Sequence, residues 1–222
     1  MRFPRSSGLL LHPTSLPGRF GIGDLGKEAY RFADFLVKSG QSLWQIMPLG
    51  PTGYGDSPYQ CFSAFAGNPL LVSPEKLVCD GYLSSADLGT PSFPDERVDY
   101  GSVIVYKTAL LRRSFLHFQH QANSDQKEAF VAFCQENAPW LDDYALFMAL
   151  KRAYGGAVWN TWERDIAQRE PEAMKRWARS LAEAVSVEKY CQFLFFQQWH
   201  ELKRYVNERG IKIIGDIPIF VA

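Results

Sequence analysis

Two short apolar segments, each ended by a proline, enclose one amphipathic segment, and this order limits the possible folds more than any other feature of the chain. Residues 8–12 form the first apolar run, and residues 42–47 form the second. Between them, residues 25–37 carry apolar side chains at helical spacing, with Asp24 as a candidate N-cap and Gly40 just past the end. The pattern predicts a right-handed βαβ unit with parallel strands, each of which needs a helix to cover it.

The rest of the chain is predicted to be mainly helical until one last strand. Amphipathic patterns cover residues 106–118, 140–153 and 172–184. A longer helix is predicted to begin after Ser186 as its N-cap, and an apolar strand at residues 211–214 follows it. The predicted order is strand, helix, strand, helical insertion, helix and strand.

Composition excludes several classes of partner and site. The 24 basic and 24 acidic residues balance, so no charge pattern indicates binding of nucleic acid or of an anionic membrane surface. The four cysteines form no CxxC pair and no cluster with the four histidines, so neither a zinc site nor a disulfide framework is predicted. The apolar run near the N-terminus is too short for a signal peptide, and no later run approaches a membrane span. A neutral partner and reduced thiols are expected.

Polar side chains follow each predicted strand, where α/β folds place their binding sites. Residues 12–15 follow the first strand, residues 54–59 follow the second, and Asp216 follows the third. If the strands are neighbours, these segments converge on one rim. Tyrosine rings cover the apolar face of a sugar, while carboxylates and hydroxyls bind its OH groups. The rim therefore predicts a site for a neutral, polyhydroxylated ligand.

Each of these side chains also has a purely structural interpretation. Tyr54 and Tyr59 fit equally well as packed aromatic residues of a loop. Asp216 is consistent with a turn residue that bonds its own backbone, and His12 fits a satisfied histidine near the core better than a catalytic one. The glycines of residues 50–55 do not indicate a phosphate-binding loop, because no Lys-Ser/Thr pair follows them.

Six motifs of the chain closely resemble those of the 4-α-glucanotransferases, also called amylomaltases or disproportionating enzymes, of glycoside hydrolase family 77. In chain order they are SGLLLHPTSLPG (7–18), GIGDLG (21–26), WQIMPLGPT (44–52), YGDSPYQ (54–60), GNPLL (67–71) and GDIPIFVA (215–222). The resemblance spans the whole chain. It implies an α/β fold, a (β/α)8 barrel interrupted by helical subdomains, that acts on α-1,4-glucans without a metal or organic cofactor.

The resemblance also implies how the chain is divided. Residues 1–60 are expected to supply the first barrel strands and helix, residues 61–185 a helical insertion subdomain after the second strand, and residues 186–222 a barrel helix and the third strand. The chain is expected to be a fragment that ends before the barrel closes. Because three strands leave unpaired edges and an uncovered face, the isolated chain is expected to aggregate or to stay partly molten.

Single residues take their expected roles from the same resemblance. Tyr59 matches the family's tyrosine at the sugar subsite beside the cleaved bond, and Asp216 matches the aspartate that supports that subsite. Tyr54 matches an aromatic residue of the glucan-binding surface, while Asp56 and Ser57 belong to the same loop. The family's nucleophilic, acid/base and transition-state-stabilising carboxylates match no residue of this chain. No catalytic residue and no metal ligand is therefore predicted within it.

The implied reaction moves a segment of an α-1,4-glucan to the 4-OH of an acceptor glucan or glucose, with retention and through a glycosyl-enzyme intermediate. The expected partners are α-1,4-glucans, maltooligosaccharides and glucose, with neither nucleic acid nor a membrane, and the expected location is the cytoplasm. The chain alone is expected to be inactive. Two other classes stay open: a glucan-binding fragment without chemistry, and a retaining α-glucan hydrolase of the same barrel clan.

Overall fold

Helices dominate the computed structural model of the chain, which describes residues 5–221. Within that range it contains seven α-helices and five short strands. In chain order they are β1 (Gly8–Leu10), α1 (Lys27–Lys38), β2 (Leu43–Gln45), β3 (Gln60–Cys61), α2 (Pro74–Cys79), α3 (Tyr100–Gln121), α4 (Ser124–Ala153), α5 (Arg164–Ala167), α6 (Pro171–Ser180), α7 (Ala182–Glu208), β4 (Lys212–Ile214) and β5 (Phe220–Val221). None of these helices is long and apolar enough to cross a membrane.

The strands β1, β2 and β4 form one parallel sheet in that order. Leu9 lies opposite Trp44, and Trp44 lies opposite Ile213. Helix α1 connects β1 to β2, and α7 leads into β4. The predicted strand–helix–strand unit is therefore confirmed, although each strand is shorter than its apolar run in the sequence. Parallel pairing brings the carboxyl ends of all three strands to one edge of the sheet.

Buried side chains of α1 and of the last turns of α7 form the core of this sheet region. The amphipathic repeat of α1 buries Ala29, Ala33 and Leu36 completely, and Leu202 and Val206 of α7 are equally inaccessible. Burial of each large apolar side chain contributes about 1.5–3 kcal/mol relative to its exposure. The two helices are also joined at the surface, since a Tyr205 hydroxyl donates to Asp34 Oδ1 at 2.9 Å.

The start of α1 differs from the prediction. Gly26, and not Asp24, occupies the N-cap position. Asp24 instead accepts a hydrogen bond from the Gly26 amide at 2.9 Å and pairs with Lys107 Nζ at 3.3 Å. Lys107 is fully buried and also donates to the Val72 carbonyl at 2.8 Å. Asp24 is therefore the counter-ion of a buried lysine. A local capping pattern in the sequence does not reveal a partner so distant along the chain.

The described residues divide into two units. One comprises the described residues up to Ala122 together with those from Leu194 onward, and the other runs from Asn123 to Phe193. In the second unit, Asn123 and Gln126 form a reciprocal capping box at the start of α4. Ser186 is not a cap as predicted, because it lies inside α7 and its hydroxyl donates to the Ala182 carbonyl at 2.9 Å. The division of the chain into three parts remains a prediction.

Candidate functional site

The segment that follows β2 folds back on itself, and we call residues 48–60 the site loop. The Gly53 amide donates to the Gln60 carbonyl at 2.8 Å, which closes the loop. Its tip is a 3₁₀ turn at Tyr54–Asp56, in which Gly55 and Asp56 adopt positive φ angles of 71° and 55°. Glycine adopts this conformation without strain, and Asp is among the few other residues that tolerate it. The sequence Gly-Asp at the tip therefore explains its tight curvature.

The site loop is joined to the segment after β4 by side chains and by backbone. The Tyr59 hydroxyl donates to Asp216 Oδ2 at 2.8 Å. The Tyr59 carbonyl accepts hydrogen bonds from the amides of Ile219 and Phe220 at 3.2 and 3.0 Å. Strands β3 and β5 then pair in parallel over two residues each. The prediction that polar residues after the second and third strands converge is confirmed by this contact.

The surroundings of Tyr59 keep its hydroxyl protonated, so that it donates to Asp216. The hydrogen bond to Asp216 raises the pKa of Tyr59, and burial and the carboxylate charge raise that pKa further. The hydroxyl therefore stays protonated at neutral pH. Asp216 is exposed, and its Oδ1 accepts a hydrogen bond from the Ile217 amide at 2.8 Å. Each carboxylate oxygen has a second lone pair, so the fixed carboxylate can accept hydrogen bonds from the OH groups of a sugar.

The other predicted site residues lie in the same loop with different surroundings. Ser57 accepts a hydrogen bond from the Tyr59 amide through its Oγ at 3.3 Å, so it shapes the turn that presents Tyr59. Asp56 lies near Tyr100, whose pKa is raised by burial first and by the Asp56 charge second. Tyr100 begins α3, and no sequence pattern connects it to the loop. The Tyr54 side chain lies outside the described part of the structure.

His12 lies at the end of β1, and its side chain is buried, with 5% exposure. Its Nδ1 accepts from the Thr14 amide at 3.3 Å and lies 2.7 Å from Thr14 Oγ1, while its Nε2 lies 3.2 Å from the Pro48 carbonyl. This arrangement requires a neutral imidazole with its proton on Nε2. Burial lowers the pKa of His12, which keeps the ring neutral, although the bond to Pro48 opposes this effect. The interpretation of His12 as a satisfied histidine agrees with these contacts.

The lowered pKa of His12 predicts a pH dependence of stability. Near pH 6 the unfolded chain binds a proton on His12 that the folded chain does not bind. Stability is therefore complete above the unfolded pKa of 6.5, and it falls on acidification until the pH drops below the folded pKa. His12→Asn keeps an acceptor for the Thr14 amide and removes this titration. The free energy of unfolding, measured by urea titration between about pH 8 and pH 5, should fall more steeply with His12 in place than in His12→Asn. The limiting difference in slope is ~1.4 kcal/mol per pH unit. Equal slopes would contradict the prediction.

One cavity borders the site loop, and a second borders the segment after β1. A crevice of about 160 Å³ lies beside Asp216, with Phe65 and Trp199 in its walls. A larger pocket of about 890 Å³ is lined by Thr14 and Tyr100. The larger one falls within the usual range of small-ligand pockets, and the crevice is below it. Among residues 5–221, no group of three or more His, Cys, Asp or Glu side chains is arranged to hold a metal ion.

Comparisons with known proteins agree on one family. The 4-alpha-glucanotransferase family matches residues 11–222. The 4-alpha-glucanotransferase of Synechocystis sp. is 52% identical over 98% of this chain and 43% of its own length. That of Thermus thermophilus is 51% identical over 100% of this chain and 44% of its own length. A solved structure of the amylomaltase from Streptococcus agalactiae in complex with acarbose superimposes with a TM-score of 0.93 at 40% identity, covering 99% of this chain and 44% of that one. The chain thus spans less than half the length of these relatives.

Proposed function

Because the chain belongs to the 4-alpha-glucanotransferase family, we propose that it forms the sugar-binding side of an enzyme that transfers segments of α-1,4-glucans to the 4-OH of an acceptor glucan or glucose. The observation that carries the proposal is the hydrogen bond of 2.8 Å between Tyr59 and Asp216 at the carboxyl ends of the strands. It presents a fixed carboxylate and an aromatic ring together to solvent. The related amylomaltase that binds acarbose, with its TM-score of 0.93, supports an oligosaccharide as ligand.

The proposed reaction proceeds with retention through a glycosyl-enzyme intermediate, which requires one nucleophilic carboxylate and one protonated carboxyl group about 5–5.5 Å apart. Asp216 is given neither role, because it matches the family's aspartate that supports the sugar subsite, and its hydrogen bonds with Tyr59 and the Ile217 amide fix its orientation. We assign it the role of orienting the sugar beside the cleaved bond. The catalytic pair is proposed to come from carboxylates that are not among the described residues of this chain, so the chain alone is inactive.

The proposed fold of the whole enzyme is a (β/α)8 barrel with a helical insertion after its second strand. Three parallel strands with helical connections fit the first part of such a barrel. The sheet exposes Leu10 and Ile214, whose side chains are 59% and 41% accessible and would be covered in a closed barrel. We place the protein in the cytoplasm, because all four cysteines are free thiols, as is usual in a reducing compartment.

The test uses this chain and a chimera in which it replaces the matching 222 residues of the Thermus thermophilus relative. Both are incubated with maltotriose as sole substrate, and glucose and longer maltodextrins are measured over time. We expect the chimera to form glucose together with maltodextrins longer than maltotriose, and the chain alone to form neither.

Other outcomes identify the other functions. New reducing ends without longer products would indicate a hydrolase. Glucan binding by the chain combined with an inactive, folded chimera would indicate a binding fragment without chemistry. Transfer by the chain alone would show that its own carboxylates include the catalytic pair, and would overturn the role given to Asp216.

A further inference from the structure

His12 connects the segment after β1 to the base of the site loop. The ring lies between the Thr14 amide, which donates to Nδ1, and the Pro48 carbonyl, which accepts from Nε2. Pro48 is the first residue of the site loop. Because the ring is buried, shortening the side chain leaves the Pro48 carbonyl without its donor from the protein. The base of the loop therefore depends on one side chain of a neighbouring strand end.

Thr14, in the same strand end, holds the other side of the ring. Thr14 Oγ1 is itself 2.7 Å from His12 Nδ1. Two polar groups of Thr14 therefore contact Nδ1, while the Pro48 carbonyl at the base of the loop contacts Nε2.

We propose that His12 is a positioning residue for sugar binding: it holds the site loop at its base through Pro48, so that Tyr59 meets Asp216. The proposal rests on the function proposed above. His12 itself is buried beneath the loop, so its effect on the sugar passes through Tyr59. A ligand-binding loop that is fixed in advance loses less conformational entropy when it binds.

Two substitutions distinguish the hydrogen bond at Nδ1 from the hydrogen bond at Nε2. His12→Asn keeps an acceptor near Nδ1 for the Thr14 amide but cannot reach Pro48. His12→Gln is longer and can place an amide donor near Nε2, so it restores the bond to the Pro48 carbonyl. His120→Asn, an exposed histidine at the end of α3, is the matched control.

The first measurement is hydrogen exchange in the chimera. In His12→Asn, amides of the site loop such as Gly53 and Gln60 should exchange about fivefold to tenfold faster, since one buried hydrogen bond is lost. His12→Gln should restore most of the protection, and His120→Asn should leave it unchanged. Unchanged exchange of the site loop in His12→Asn, with the fold intact, would overturn the proposal whether or not the chimera transfers glucans.

The second measurement is kinetics of maltotriose transfer by the chimera. His12→Asn should raise KM about fivefold to tenfold with little change in kcat, and His12→Gln should return KM toward the original value. A fall in kcat at constant KM would overturn the positioning role, because it would place His12 in the chemical step. An unsubstituted chimera that is folded but inactive counts against the proposed function instead, and the exchange data then decide on His12.

Discussion

Replacing Asp216 with Ala in the chimera is expected to lower kcat/KM for maltotriose by about a hundredfold, the cost of misplacing a substrate at the reacting centre. The substitution removes both carboxylate oxygens at once. Tyr59 then loses the acceptor that lies 2.8 Å from its hydroxyl, and the Ile217 amide loses its partner as well. The sugar loses its hydrogen-bond acceptor, and the site loop loses its side-chain link to the segment after β4. Initial rates of glucose release over a range of maltotriose concentrations measure the effect.

A double-mutant cycle shows whether Tyr59 and Asp216 act as one unit. Tyr59→Phe keeps the aromatic ring and removes only the hydroxyl, so a smaller loss of about tenfold is expected. If the hydroxyl acts by fixing Asp216, then Tyr59→Phe combined with Asp216→Ala should be little worse than Asp216→Ala alone. Fully multiplicative losses would show that each residue contacts the sugar independently.

A control separates this effect from a general loss of carboxylate charge. Asp143→Ala removes an exposed carboxylate of the second unit, where Asp143 pairs with Arg169 at 2.8 Å. Exposed ion pairs contribute little to stability, so this variant should keep its full activity. A loss of less than about threefold in Asp216→Ala would contradict the orienting role of that residue.

The site could be predicted from the sequence to the extent that it depends on parallel strands. Apolar runs, two of them ended by prolines, located the three strands, and parallel pairing brings their carboxyl ends together. The approach of Tyr59 to Asp216 follows from this geometry, although 157 positions separate them. The short pairing of β3 with β5 was not predicted, because two-residue strands carry no periodic signal.

Contacts that depend on tertiary packing could not be predicted from the sequence. Asp24 fits a helix cap by type and position, yet it pairs with a lysine that lies 83 residues away. Tyr100 and Thr14 line the same pocket because α3 packs against the turn at Pro69–Leu71. Neither contact leaves a pattern in local sequence, since buried polar partners are selected by three-dimensional proximity.

Gly23→Ala is expected to destabilise the chimera by about 3 kcal/mol or more, because the added methyl group has no space. A Cβ atom at Gly23 would lie 2.0 Å from the Pro13 carbonyl oxygen and 2.6 Å from that of Leu16. Both contacts are with backbone of the turn that follows His12, so no side-chain rotation can relieve them. The turn must move as a whole, and Leu16, which is 6% exposed, must move with it.

Two other glycines separate lack of space from backbone strain. Gly40 has a φ of 68° and open space around it, so Gly40→Ala tests strain alone and should cost about 1–2 kcal/mol. At Gly101, in α3, an added Cβ would make only an ordinary contact of 3.5 Å with Asp99, so Gly101→Ala should be neutral or slightly stabilising. Urea denaturation followed by tryptophan fluorescence measures all three variants. A cost at Gly23 no larger than that at Gly40 would show that the turn after β1 yields easily, and a yielding turn could not hold His12 against the site loop.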